Sequence, residues 1–170
     1  MMKVSVLGAA RISRDSPLYQ QAYSLGKILA IKKCILTAGG GKGIMEAVSI
    51  PYKNDTELLN SICIDSDQDG DECYKWNGYG KSIFVKNVKE QSSILCENQD
   101  IIIVFPGGTG TLHELFYILT CKIYMSTKII LIGQQLKDLL DFSIKCMGNE
   151  LFNIDYNNIV FINSVYELDI

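Results

Sequence analysis

Three glycine-containing segments have the composition of phosphate-binding loops. They are Gly8 with Ala9, Ala10 and Arg11; the run Gly39, Gly40, Gly41, Lys42 and Gly43; and Pro106, Gly107, Gly108, Thr109, Gly110 and Thr111, just ahead of a helix carrying Glu114. Each follows an apolar run of strand type and precedes a run of helical spacing. Glycine lets backbone approach phosphate oxygens, and the N-terminus of the helix behind such a loop offers unpaired N–H groups and a partial positive charge. One loop of this kind can be no more than a tight strand-to-helix connection, but three on one edge of a parallel sheet point to a shared anion site. Two commoner nucleotide sites are excluded by spacing. The first loop does not continue as GxGxxG, and residues 39–43 do not give the GxxxxGK[ST] pattern. Lys42 is either a phosphate contact or a solvated loop lysine.

The elements that position these loops follow from the apolar pattern. Val4 to Leu7 reads as a strand, Pro17 suits a first helical turn, and Ala22, Leu25, Ile28 and Leu29 keep helical spacing. Cys34, Ile35 and Leu36 form the next strand, followed by a helix from Gly43 that Pro51 ends or bends. Strands are expected over 61–64, 82–85, 101–105, 128–132 and 159–162, with helices over 89–98, 112–123 and 135–146 and a short closing helix. The continuous apolar run Ile101, Ile102, Ile103, Val104, Phe105 is typical of a strand buried on both faces. The alternation predicts an α/β fold: a doubly wound parallel sheet with helices on both faces and ligands outside the carboxyl ends of its strands. Residues 65–80 break the pattern as a long polar loop, whose Trp76 and Tyr79 either pack it down or form a lid.

Composition bounds the partners. The chain has 170 residues, 48% of them apolar, which suits one domain over 1–170. A net charge of −3 supplies no long-range positive field for a nucleic-acid backbone, so a small anionic ligand is expected and nucleic acid is not. Six cysteines without a CxxC pair fit a reducing compartment, and with a single histidine they give no zinc-ligand spacing. No apolar stretch approaches the roughly 20 residues of a membrane span. The opening residues enter a strand without the h-region of a signal peptide, so a cytoplasmic location is expected.

Residues 106–120, PGGTGTLHELFYILT, resemble the PGGxGTxxE signature of the LOG (lonely guy) family, whose members are often labelled lysine decarboxylases. VLGAAR at 6–11 is similar to that family's first loop and TAGGGKGIMEAV at 37–48 to its TGGGxGxMEA loop, so the resemblance spans about residues 4–133. It implies a Rossmann-like homodimer, needing no cofactor, that hydrolyses the N-glycosidic bond of a purine or cytokinin nucleoside 5'-monophosphate to free base and ribose 5-phosphate. Gly107, Gly108, Thr109, Gly110 and Thr111 would hold the phosphate, assisted by Gly8, Ala9 and Arg11 and by Gly40, Gly41 and Lys42. Glu114 matches the signature glutamate and would act on water and the glycosidic bond, as carboxylates do in glycoside hydrolysis. Its other reading is a helix-start glutamate stabilised by the macrodipole. Glu46 carries the same ambiguity and fits a binding or positioning role. His113 is expected at the surface or a dimer contact, since neighbours on a helix point in different directions.

Two departures from the family stand out. Aligned without gaps from Pro106 backward, the arginine expected on the preceding helix falls on Gln91, with Ser92 after it. A neutral amide there replaces a fixed cationic fork. Ala9 stands where serine is common. Compensation would come from Arg11, Lys86 or Lys89, or the substrate differs. Hydrolysis is the first reading; a sensor or carrier that keeps nucleotide binding without catalysis is the second.

Overall fold

The computed structural model describes residues 1–66, 70–148, 154 and 156–168. The elements are β1 (Lys3–Leu7), α1 (Pro17–Ile31), β2 (Ile35–Gly39), α2 (Ile44–Ser49), β3 (Leu59–Ile64), β4 (Lys81–Val85), α3 (Val88–Cys96), β5 (Ile101–Val104), α4 (Thr109–Thr120), β6 (Lys128–Ile132), α5 (Gln134–Met147) and β7 (Ile159–Ile162). The seven strands form one sheet in the order β4-β3-β2-β1-β5-β6-β7, with every pairing parallel.

The local reasons are legible. Ser16 caps α1, its side chain accepting from the Tyr19 N–H at 3.2 Å, with Pro17 in the first turn. Asn87 caps α3 by accepting from Glu90 N–H, and Glu90 reaches back to the Lys86 N–H, so two otherwise unpaired donors are satisfied reciprocally. Period-two alternation is hidden in the apolar strands because both faces are covered. Val4, Val6, Ile101, Ile103, Ile130 and Ile132 face the layer of α1 and α2. Leu7, Ile102, Val104, Ile129 and Leu131 face α3, α4 and α5. Gly26 of α1 lies against α2: a Cβ there would stand 2.4 Å from the Val48 carbonyl oxygen, so the two helices close on each other only without a side chain.

Several expected boundaries move. α4 starts at Thr109 rather than 112, so three residues of the glycine signature form its first turn. It ends at Thr120, where Lys122 takes a positive φ, and Ile123–Met125 is a separate 3₁₀ turn. Its burial is a stripe through Thr111, Leu115 and Ile118. The closing segment is a 3₁₀ turn, Val165–Glu167, and not a helix. Part of the loop expected over 65–80, residues 67–69, lies outside the described residues. No helix among the described residues is long and apolar enough to cross a membrane.

Strand order locates the site. The chain starts at the central β1, walks outward to β4, then crosses back to place β5 on the other side of β1. The connections leaving β1 and β5 therefore diverge to opposite faces, opening a crevice beyond their carboxyl ends.

Candidate functional site

The loops after β1 and β5 meet in this crevice. The Ala9 N–H donates to the Pro106 carbonyl at 3.3 Å, and the Ile44 N–H, at the start of α2, donates to the Ala9 carbonyl at 2.9 Å. Gly43, at a φ of 68°, lies so near that a Cβ would stand 2.2 Å from the Ala9 oxygen. All three glycine loops are thus one contiguous structure, because β2, β1 and β5 are neighbours in the sheet.

They enclose a cavity of about 510 Å³. Of the expected site residues, Gly8, Ala9, Arg11, Gly40, Gly41, Gln91, Gly108, Thr109, Gly110, Thr111 and Glu114 line it. Gly107, Lys42 and Glu46 do not. Gly107 is a packing residue: a Cβ would fall 2.1 Å from Thr111 Oγ1 and 2.9 Å from Ala9 N. Gly108 and Gly110 differ, because a Cβ on either would meet nothing within 4 Å. No side chain caps α4, and its first intrahelical bond is from the Leu112 N–H to the Gly108 carbonyl, so the N–H groups of Thr109, Gly110 and Thr111 have no intrahelical partner. Open backbone, free N–H donors and the positive end of a 12-residue helix make an anion site.

Glu114 is the sixth residue of α4, about 7 Å along the axis from its start at 1.5 Å per residue. That is beyond the first turn, where the macrodipole would favour a carboxylate. Burial alone pushes its carboxyl up to about 8. Gln91, one turn into α3, donates from Nε2 to the Ile62 carbonyl at 2.9 Å, which ties α3 to the end of β3 and turns the amide into part of the cavity wall.

Glu46 serves a different purpose. It is buried, accepts from Arg14 Nη2 at 2.6 Å and from the Tyr19 hydroxyl at 3.0 Å, and so fastens the first loop to α1 and α2. Burial and this carboxylate hold the Tyr19 hydroxyl up at about 12. Lys42 turns away from the main cavity, 3.7 Å from Glu72, and its N–H donates to the Cys73 carbonyl. Arg11 pairs with Asp71, which raises the guanidinium pKa further and, with the Cys73 N–H, lowers that of the carboxyl.

Sequence reasoning missed the residues that give the cavity its apolar wall: Met45, Ile62, Cys63, Ile64, Val88 and Tyr74. In sequence Tyr74 is one more aromatic in an irregular loop. Of the two aromatics considered, Tyr79 packs on the core and donates nothing to the cavity, while Trp76 is 40% exposed and donates from Nε1 to the Tyr79 carbonyl. Tyr79 thus holds the loop down, and Trp76 braces it from within. Asn77 fixes it further, donating from N–H to the Gly40 carbonyl and from Nδ2 to the Gly41 carbonyl. His113 is exposed at the cavity rim.

Residues 1–154 match the model of the SLOG cluster4 family. The chain belongs to this family. Among solved structures, this SLOG chain is similar to TM1055, a structural-genomics target, at 25% identity and a TM-score of 0.58 over 78% of this chain and 73% of that one. It is similar to the molybdenum cofactor binding protein from the phototrophic bacterium Rippkaea orientalis at 21% identity and a TM-score of 0.65, over 96% of this chain and 90% of that one. DNA processing protein A from Helicobacter pylori, described for its single-stranded DNA binding, aligns at 15% identity and a TM-score of 0.56 over 88% and 80%. The latter two share the fold of this SLOG chain, a Rossmann-like α/β sheet. No curated protein sequence matches it.

Proposed function

We propose that this SLOG protein hydrolyses the N-glycosidic bond of a purine or cytokinin-type nucleoside 5'-monophosphate, giving free base and ribose 5-phosphate. The observation that carries the reading is the shared cavity of Glu114 and the open N-terminus of α4. A 5'-phosphate on the N–H groups of Thr109, Gly110 and Thr111 puts the ribose alongside the next turn of the helix, where Glu114 stands. The base then lies against the apolar wall of Met45, Ile62, Ile64 and Tyr74. Water attacks the anomeric carbon, the bond from that carbon to the base nitrogen breaks, and ionised Glu114 takes the water proton while countering the positive charge on the sugar. The departing base nitrogen is protonated from Glu114 or from solvent.

The second reading, a non-catalytic nucleotide- or cofactor-binding sensor or carrier, is favoured by Gln91. Its neutral amide has one of its two N–H donors committed to Ile62 and offers no positive charge to the sugar or phosphate. A fold shared with a molybdenum cofactor binding protein is in keeping with that reading.

The deciding measurement is chromatographic detection of free base from a panel of nucleoside 5'-monophosphates, with the matching nucleosides as controls. Base released from the phosphorylated compounds only is the expected result; saturable binding without release would select the second reading. In the same assay Gln91→Arg is expected to raise kcat/KM at least tenfold, since a charge-assisted hydrogen bond contributes about 1.5–3 kcal/mol. No gain would mean that the missing cation is not what limits this site.

The protein reads as one domain over 1–170 that pairs as a homodimer through the outer side of α4. That side carries half-buried Phe116, and the turn after the helix carries Met125, 65% exposed. Light scattering is expected to give the mass of a dimer.

A further inference from the structure

Beside the main cavity lies a second one of about 500 Å³, and it gathers Arg11, Arg14, Lys42, Ser13, Gly43 and Cys73. Arg11 and Arg14 are the only arginines in the chain. Ala10 and Arg11 line both cavities, so the two adjoin at this segment. They are also close. Gly107 abuts Ala9, and Arg11 follows Ala9 by two residues, a Cα separation of at most about 7 Å. The Arg11 side chain therefore borders the inner and the outer space alike.

The three cations are held unequally. Arg14 is fixed by Glu46, a buried carboxylate that also accepts from Tyr19. Arg11 pairs with Asp71, and Lys42 stands 3.7 Å from Glu72, whose nearer partner is Lys75 at 2.6 Å; both carboxylates are exposed and lie on the surface segment between β3 and β4. Exposed ion pairs of this kind are weak, whereas a guanidinium fork on phosphate is bidentate and charge-assisted. Once Asp71 and Glu72 turn outward, three cations against the one buried carboxylate leave two positive charges facing the cavity. A phosphate group supplies the complementary charge.

We infer that the outer cavity is a second anion subsite, so that the protein binds nucleoside 5'-diphosphates more tightly than the corresponding monophosphates. The inner phosphate sits on the α4 N-terminus and the outer one on Arg11, Arg14 and Lys42, displacing Asp71 and Glu72, which occupy those cations while no ligand is bound. The inference rests on the assignment of the α4 N-terminus as the phosphate site.

Calorimetric titration of the full chain with AMP and ADP, and with GMP and GDP, without divalent metal, tests it. The diphosphate of at least one pair is expected to bind at least tenfold tighter than its monophosphate. Arg14→Gln and, independently, Lys42→Gln should each cut diphosphate affinity at least tenfold and monophosphate affinity much less. Asp71→Asn combined with Glu72→Gln should raise diphosphate affinity several-fold. Because Arg14→Gln strips Glu46 of its cation, the exposed Lys42 variant keeps the test independent of folding. Equal affinity within both pairs, or a preference that survives both cation variants, overturns the subsite. Monophosphates that bind and release base without any diphosphate advantage would sink this inference alone, while absence of binding by all four compounds would sink the phosphate site with it.

Discussion

Glu114→Gln is expected to lower base release by at least about a hundredfold while nucleotide affinity changes by less than about threefold, because positioned proton transfer contributes roughly 10²–10⁴ in rate. The amide keeps the size of the side chain, so the phosphate end of the cavity is untouched, but it neither takes a proton from water nor opposes positive charge on the sugar. Two pH effects accompany it. With the carboxyl raised to about 8 by burial, the wild-type rate should climb with pH and reach half its plateau near 8, since the ionised form is the one that takes the proton. Stability runs in the opposite sense. Burial favours the protonated form in the folded chain, so the contribution of this group is complete below the ordinary carboxyl value of 4.5 and is lost as pH rises through 8. Glu114→Gln should therefore gain stability over the wild type between pH 5 and 9, by several kcal/mol at the upper end. Denaturant midpoints across that range check it. An unchanged rate would remove Glu114 from the chemistry, and a stability difference that does not vary with pH would remove the raised pKa.

Gly110→Ala separates binding from folding. A Cβ at Gly110 meets nothing within 4 Å, and the position lies in the first turn of α4, where alanine is the better helix former by up to about 1 kcal/mol. The melting temperature should hold or rise. Affinity for nucleoside monophosphates should fall at least tenfold, because the methyl group occupies the space through which phosphate oxygens reach the backbone N–H groups. Gly107→Ala, three residues earlier, should behave in the reverse way, since its methyl would collide with Thr111 Oγ1 and destabilise the fold itself. Normal nucleotide binding by a stable Gly110→Ala protein would move the phosphate away from α4.

The contrast between Gly107 and Gly110 also marks where a sequence stops being informative. Both are glycines of one motif, and nothing in their order says that one lies under a threonine side chain and the other under open space. Glu46 and Glu114 are a second such pair, each a few residues into a helix behind a glycine loop. In the fold Glu46 is consumed by Arg14 and Tyr19, while Glu114 is left in the cavity wall with its pKa raised. Arg11 and Lys42 look like ready phosphate ligands in sequence, yet Asp71 and Glu72 hold them. Those partners lie 60 and 30 residues further along the chain, on an irregular loop, a distance over which spacing carries no signal.

What the sequence determined by itself is the layered α/β architecture and the edge on which chemistry gathers. Apolar runs alternating with helical periodicity force a parallel sheet covered on both faces, and in such a sheet every strand-to-helix loop emerges at the same end. Three glycine-rich loops therefore share one edge, and the strand order β2-β1-β5 brings them together there. What the tertiary structure alone decided is which members of those loops face the cavity, that Tyr74 rather than Trp76 lines it, and that a second cationic cavity adjoins the first. The physical reason is range. Periodicity and turn chemistry act over a few residues, whereas the burial of Glu114 and the pairing of Arg11 with Asp71 depend on segments that only folding brings into contact.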